Sequence, residues 1–60
     1  MLEWIVNTEE YVDHFGNVAT LQELNTGACI VLEDYDADKK RIFRSYDAAA
    51  DWIFRRGYRE

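Results

Sequence analysis

The chain has 60 residues, with 12 acidic side chains against 7 basic ones and a formal net charge of −5. At 48% apolar and 15% aromatic it is too rich for a disordered tail, and with no proline and three glycines it is neither low-complexity nor collagen-like. No apolar run approaches the roughly 20 residues of a membrane span, and a single cysteine excludes an internal disulfide.

One small domain is therefore expected over residues 1–60. A domain of this size buries only about 60% of the surface its unfolded chain exposes. Its stability must come from an aromatic core, self-association or a partner. A structural zinc would want about four ligands, and His14 and Cys29 are the only good ones, so no metal or cofactor is expected. No signal-peptide pattern opens the chain, and a lone cysteine fits a reducing compartment, so a cytoplasmic location is expected.

In chain order, Leu2 to Val6 reads as a strand. Asn7-Thr8-Glu9-Glu10 resembles a capping box that would start a short helix ending near Gly16. From Val18 to Leu24, the alternation of Val18, Thr20, Gln22 and Leu24 favours a strand. Val18, Leu21 and Leu24 would instead suit a short helix closed by Gly27. Asn25-Thr26-Gly27 looks like a hairpin loop with glycine at the left-handed position. Ala28 to Leu32 is a continuous apolar run whose β-branched residues predict a strand. Tyr35 to Lys40 is polar and turn-forming, and Arg41-Ile42-Phe43-Arg44 can return as the paired strand, which predicts a loop of about four to six residues.

The last third carries the clearest signal. Ser45 suits an N-cap, Asp47 lies in the first turn, Arg55 and Arg56 lie in the last, and Gly57 follows as C′. At 100° per residue Tyr46, Ala49, Ala50, Ile53 and Gly57 share one face, with Phe54 on its edge. Small alanines there would let the helix lie close to a sheet. The predicted fold class is α+β: a small antiparallel meander of about three strands packed against one C-terminal helix. An N-terminal strand or short helix would lie at one edge.

Charge divides along the chain. Residues 1–38 hold nine carboxylates and no Lys or Arg, while residues 39–60 hold all seven basic side chains and three acids. Such asymmetry points to interaction surfaces, or to two halves that neutralise each other on folding. One candidate surface is acidic: Glu9, Glu10, Asp13, Glu33, Asp34, Asp36 and Asp38. Gathered on one face, these would mimic a run of phosphates and suit a basic, nucleic-acid-binding cleft on another protein. The second candidate is a Trp–Arg patch of Ala48, Trp52, Arg55 and Arg56, residue types enriched at interface hot spots. Trp52 could instead complete the core against the N-terminal segment, for example against Trp4.

Catalytic constellations are thin. Cys29 sits in the most apolar run, where a thiolate is disfavoured, so a Cys29/His14 dyad is not expected. Asp34-x-Asp36-x-Asp38 matches the start of an EF-hand loop, but Lys39 stands where that loop needs glycine and Ser45 where it needs glutamate. The isolated glycines make no phosphate loop. Arg41, Arg44, Arg55, Arg56 and Arg59 with Trp52 and Tyr58 could form a basic–aromatic nucleic-acid patch, opposed by the negative total charge.

The reading that results is a non-enzymatic protein-binding module. It would be a small acidic inhibitor, of the type common among mobile-element products, acting on a basic, nucleic-acid-handling host or defence protein. A homodimeric regulatory or accessory protein is the first alternative, and a nucleic-acid binder using the C-terminal arginines is the second.

Overall fold

A computed structural model describes residues 2–34 and 36–60. Four strands are followed by one helix: β1 (Ile5–Val12), β2 (Val18–Leu24), β3 (Cys29–Glu33), β4 (Asp36–Phe43) and α1 (Tyr46–Arg55). The strands pair antiparallel in the order β1-β2-β3-β4, so the α+β class holds with four strands rather than about three.

The first strand corrects the expected short helix after Asn7. Asn7 to Val12 stay extended and pair in register with Glu23 to Val18 of β2. A capping box is a local preference of well under 2 kcal/mol, and pairing along a whole strand outweighs it. Val18–Leu24 forms the strand rather than the helix, with Ala19, Leu21 and Leu24 buried. Gly27 closes the β2–β3 loop at φ 93°, its N–H donating to the Leu24 carbonyl at 3.0 Å.

The β3–β4 connection is also shorter than the expected loop. β4 begins at Asp36, so Asp36 to Lys40 belong to a strand rather than a turn. Tyr35, the first residue of that expected loop, lies outside the described residues. As an outermost strand, β4 can be polar along much of its length, and its Lys39, Lys40 and Arg41 are the charges that blunt an edge against pairing.

Strand parity sorts the side chains into two faces. Tyr11, Ala19, Leu21, Cys29 and Val31 turn toward α1 and form the core with Ala49, Ile53 and Tyr58. Phe43, Tyr46 and Trp52 pack against this cluster. Fully buried Ala49 lets the helix approach the sheet closely. The opposite face carries the cross-strand row Thr8, Gln22, Ile30 and Ile42, and the row Glu10, Thr20 and Leu32. No described helix covers that face.

Both ends of α1 are built as the sequence implies. The Ser45 hydroxyl accepts from the Ala48 N–H at 3.2 Å. At the other end the Gly57 N–H donates to the Phe54 carbonyl at 3.0 Å and the Tyr58 N–H to the Ile53 carbonyl at 3.2 Å. With Gly57 at φ 93° this is a Schellman closure, and it drops Tyr58 into the core beside Ile53. The tail then runs beside β1: Val12 and Arg59 exchange two backbone hydrogen bonds of 2.7 and 2.8 Å.

Candidate protein-binding surfaces

The meander places its β1–β2 and β3–β4 turns at the same end of the sheet. The Asp34 N–H donates to the Val18 carbonyl at 2.9 Å, which ties the second turn to the strand leaving the first. Asp13, Asp34 and Asp36 are thus brought to one end, with Glu10 leading up to it on the uncovered face. Asp38 follows on β4 and is exposed. Asp36 faces Lys39 at 3.8 Å.

The β1–β2 turn is held by its own aspartate. Asp13 Oδ1 accepts from the Phe15 and Asn17 N–H groups, both at 2.9 Å, and Oδ2 accepts from Asn17 Nδ2 at 3.1 Å. Desolvation pushes the Asp13 carboxyl upward, but the bonds from Asn17 and Phe15 outweigh it and leave the carboxyl below its ordinary value. Gly16 supplies the left-handed residue at φ 89°. At the tip Phe15 is 79% exposed, its ring 4.1 Å from that of His14. Sequence reasoning missed Phe15 as a contact residue. The signal was present: an aromatic between an aspartate and a glycine, in a turn too short to bury it.

Two of the acidic candidates turn inward instead. Glu9 faces the helix, where its Oε1 accepts from Tyr11 Oη at 2.6 Å and from Tyr46 Oη at 2.5 Å. These bonds, Tyr11's foremost, hold the Glu9 carboxyl below its ordinary 4.5. Burial and Glu9 together push the Tyr11 hydroxyl far upward, and the Glu9 bond raises Tyr46. A depressed carboxylate stabilises the fold above its unfolded-state value, and that contribution disappears as pH falls through the folded-state value. Stability is therefore expected to drop on acidification from about 4.5 downward, and Glu9→Gln should flatten that part of the profile. Urea midpoints measured between pH 6 and pH 3 would check it.

Glu33 is only 6% exposed. Arg56 Nη2 donates to both its carboxylate oxygens at 3.1 Å, and Tyr58 Oη donates to Oε2 at 2.6 Å. These residues line a cleft of ≈ 330 Å³ with Asp13, Asn17 and Arg55. The Glu33–Arg56 pair also joins the acidic and basic parts of the sequence.

The Trp–Arg patch divides as well. Trp52 is half-buried, its ring 6.0 Å from Phe43, with the guanidinium groups of Arg41 and Arg56 over it at 4.8 and 5.0 Å. It meets Phe43 and these arginines, whereas Trp4 stays largely exposed at the chain's start. Arg55 pairs with Asp51 at 2.9 Å on the exposed side of α1, and Ala48 is exposed beside them. Arg59 lies over Phe54 at 4.9 Å.

The two residues of the conceivable dyad differ in setting: His14 is exposed at the turn tip, while Cys29 is buried and its thiol is pushed up, chiefly by desolvation. Among the described residues no helix is long and apolar enough to cross a membrane. Comparison of the chain with protein-family models, with curated proteins and with solved structures finds no match.

Proposed function

We propose that this chain is a non-enzymatic protein-binding module, a small acidic inhibitor that engages a basic, nucleic-acid-handling partner through the turn end of its sheet. The observation that carries this reading is the β1–β2 turn. It is braced internally by Asp13 and holds Phe15 out to solvent, close to the end where Asp34 and Asp36 lie. A braced turn loses little freedom on binding. An exposed aromatic ring at the same end of the sheet as carboxylates suits an anchor that enters a partner's pocket while those carboxylates meet the basic rim.

Several arginines have business within the chain: Arg41 and Arg56 over Trp52, Arg55 on Asp51, Arg59 on the Tyr58 carbonyl. This favours the acidic end over the basic patch as the recognition surface.

Capture of partners on immobilised protein, with elution by a salt gradient, tests the reading. A basic protein held at low salt should lose about tenfold or more in affinity with Phe15→Ala, elute earlier with Asp34→Lys, and be displaced by free DNA. Retention unchanged by both substitutions would sink the proposal.

A further inference from the structure

The sheet has two broad faces and one helix, so the face opposite α1 lies open. Val18, Ile30, Leu32 and Ile42 lie on it by strand parity, and Ile42 is 73% exposed, while Leu24 at the far end of β2 is already buried. The central strands β2 and β3 put no charged side chain on this face, only Thr20 and Gln22 between the aliphatic ones. Its charges sit on the two edges. Glu10 lies on β1, opposite Thr20, and Lys40 lies on β4, on the same side as Ile42 because Arg41 points to Trp52. An apolar middle within a charged rim is the anatomy of an interface.

We infer that this face is occupied by a second copy of the chain, packed sheet on sheet about a two-fold axis parallel to the strands. Such an axis lays β1 of one copy over β4 of the other, at both edges at once. Glu10 then meets Lys40 of the partner copy twice, Ile30 and Leu32 fill the middle, and Ile42 on the edge strand lies over Thr8 of the partner copy. The face is complementary to itself in charge as well as in apolar character. That self-complementarity selects a second copy over an unrelated partner. The extent also fits. A standard interface takes about 800 Å² from each partner, roughly a fifth of this chain's 4333 Å² of accessible surface. A body with extents of 39 × 22 × 16 Å offers such an area on one broad face. The turn end that carries Phe15 lies at the rim of this sandwich, so the pairing neither requires nor excludes the proposed inhibitor role.

Sedimentation velocity across a concentration series tests the inference, with far-UV circular dichroism reporting the fold. The wild type should be a dimer. Ile42→Asp should be a folded monomer, because that side chain is mostly exposed in the single copy. Lys40→Glu should weaken the dimer by about tenfold or more, and adding Glu10→Lys should restore it. A wild type that remains monomeric up to about 1 mM would overturn the inference. So would a dimer indifferent to Ile42→Asp, or charge variants whose combination fails to restore association.

Discussion

Leu21→Ala is expected to remove about half of the protein's folding stability. Leu21 is 0% exposed at the centre of β2, between Glu9 of β1 and Val31 of β3, and it belongs to the cluster that meets Ile53 of α1. Truncating such a leucine typically costs about 2–5 kcal/mol, part of it for the cavity left behind. A domain holds only about 0.05–0.15 kcal/mol per residue. Over 60 residues that is about 3–9 kcal/mol in all. Ile42→Ala on the opposite face should shift the stability of the single copy by only about 0.5 kcal/mol. Urea titration of both variants in dilute solution, followed by circular dichroism, would measure the contrast. Equal losses would mean that the two faces are equally buried.

Arg56→Ala is expected to be the most damaging change to a charged residue of α1 and its cap. It removes the guanidinium whose Nη2 meets both oxygens of buried Glu33, and leaves that carboxylate without those two hydrogen bonds. Losing one partner of a fully buried pair costs about 3–5 kcal/mol. The Arg56 side chain is 42% exposed, so water compensates in part and a loss of about 1–3 kcal/mol is expected. Arg55→Ala, which breaks an exposed pair to Asp51, should cost about 0.5 kcal/mol or less. Arg56→Lys should recover only part of the loss, because an ammonium group cannot replace the planar guanidinium that lies over Trp52. Neighbouring arginines one position apart thus give a direct comparison by thermal or urea midpoints.

The helix and its ends were legible because their signals are local. Ser45, Asp47 and Gly57 each satisfy a requirement of the backbone beside them. The β2–β3 hairpin was legible for the same reason, with Gly27 in its loop. What escaped depended on distant partners. Asn7 to Glu10 carry a helix-start pattern, and only the pairing with β2 and the Tyr46 hydroxyl waiting for Glu9 make them a strand. Asp36 to Lys40 look like a loop because an outermost strand need not be apolar.

The acidic candidates show the same division. Asp13 and Asp34 fell at one end because the topology is a simple meander. Glu33 was counted among surface acids, yet the parity of Cys29, Val31 and Glu33 along β3 turns it toward the core. That alternation was readable, but its partner was not, since Arg56 and Tyr58 arrive from the far end of the sequence. Trp52 proved to be both core and surface, one side toward Phe43 and the other under two arginines.

The two hydrogen bonds between Val12 and Arg59 carry a consequence for how the molecule opens. Neighbouring strands are joined in sequence order, so each hairpin can form from local contacts. The tail is different: its seat requires β1 already paired and α1 already ended by Gly57. It closes after both, and its release lifts Tyr58 out of the core. Tyr58 travels with it, so the opening that frees the edge of β1 also withdraws a hydroxyl from Glu33. Such an opening would admit water to Glu33, the buried acidic side chain among the described residues. The tail thereby acts as a latch, and the most buried charge among the described residues is only as secluded as residues 58–60 are closed.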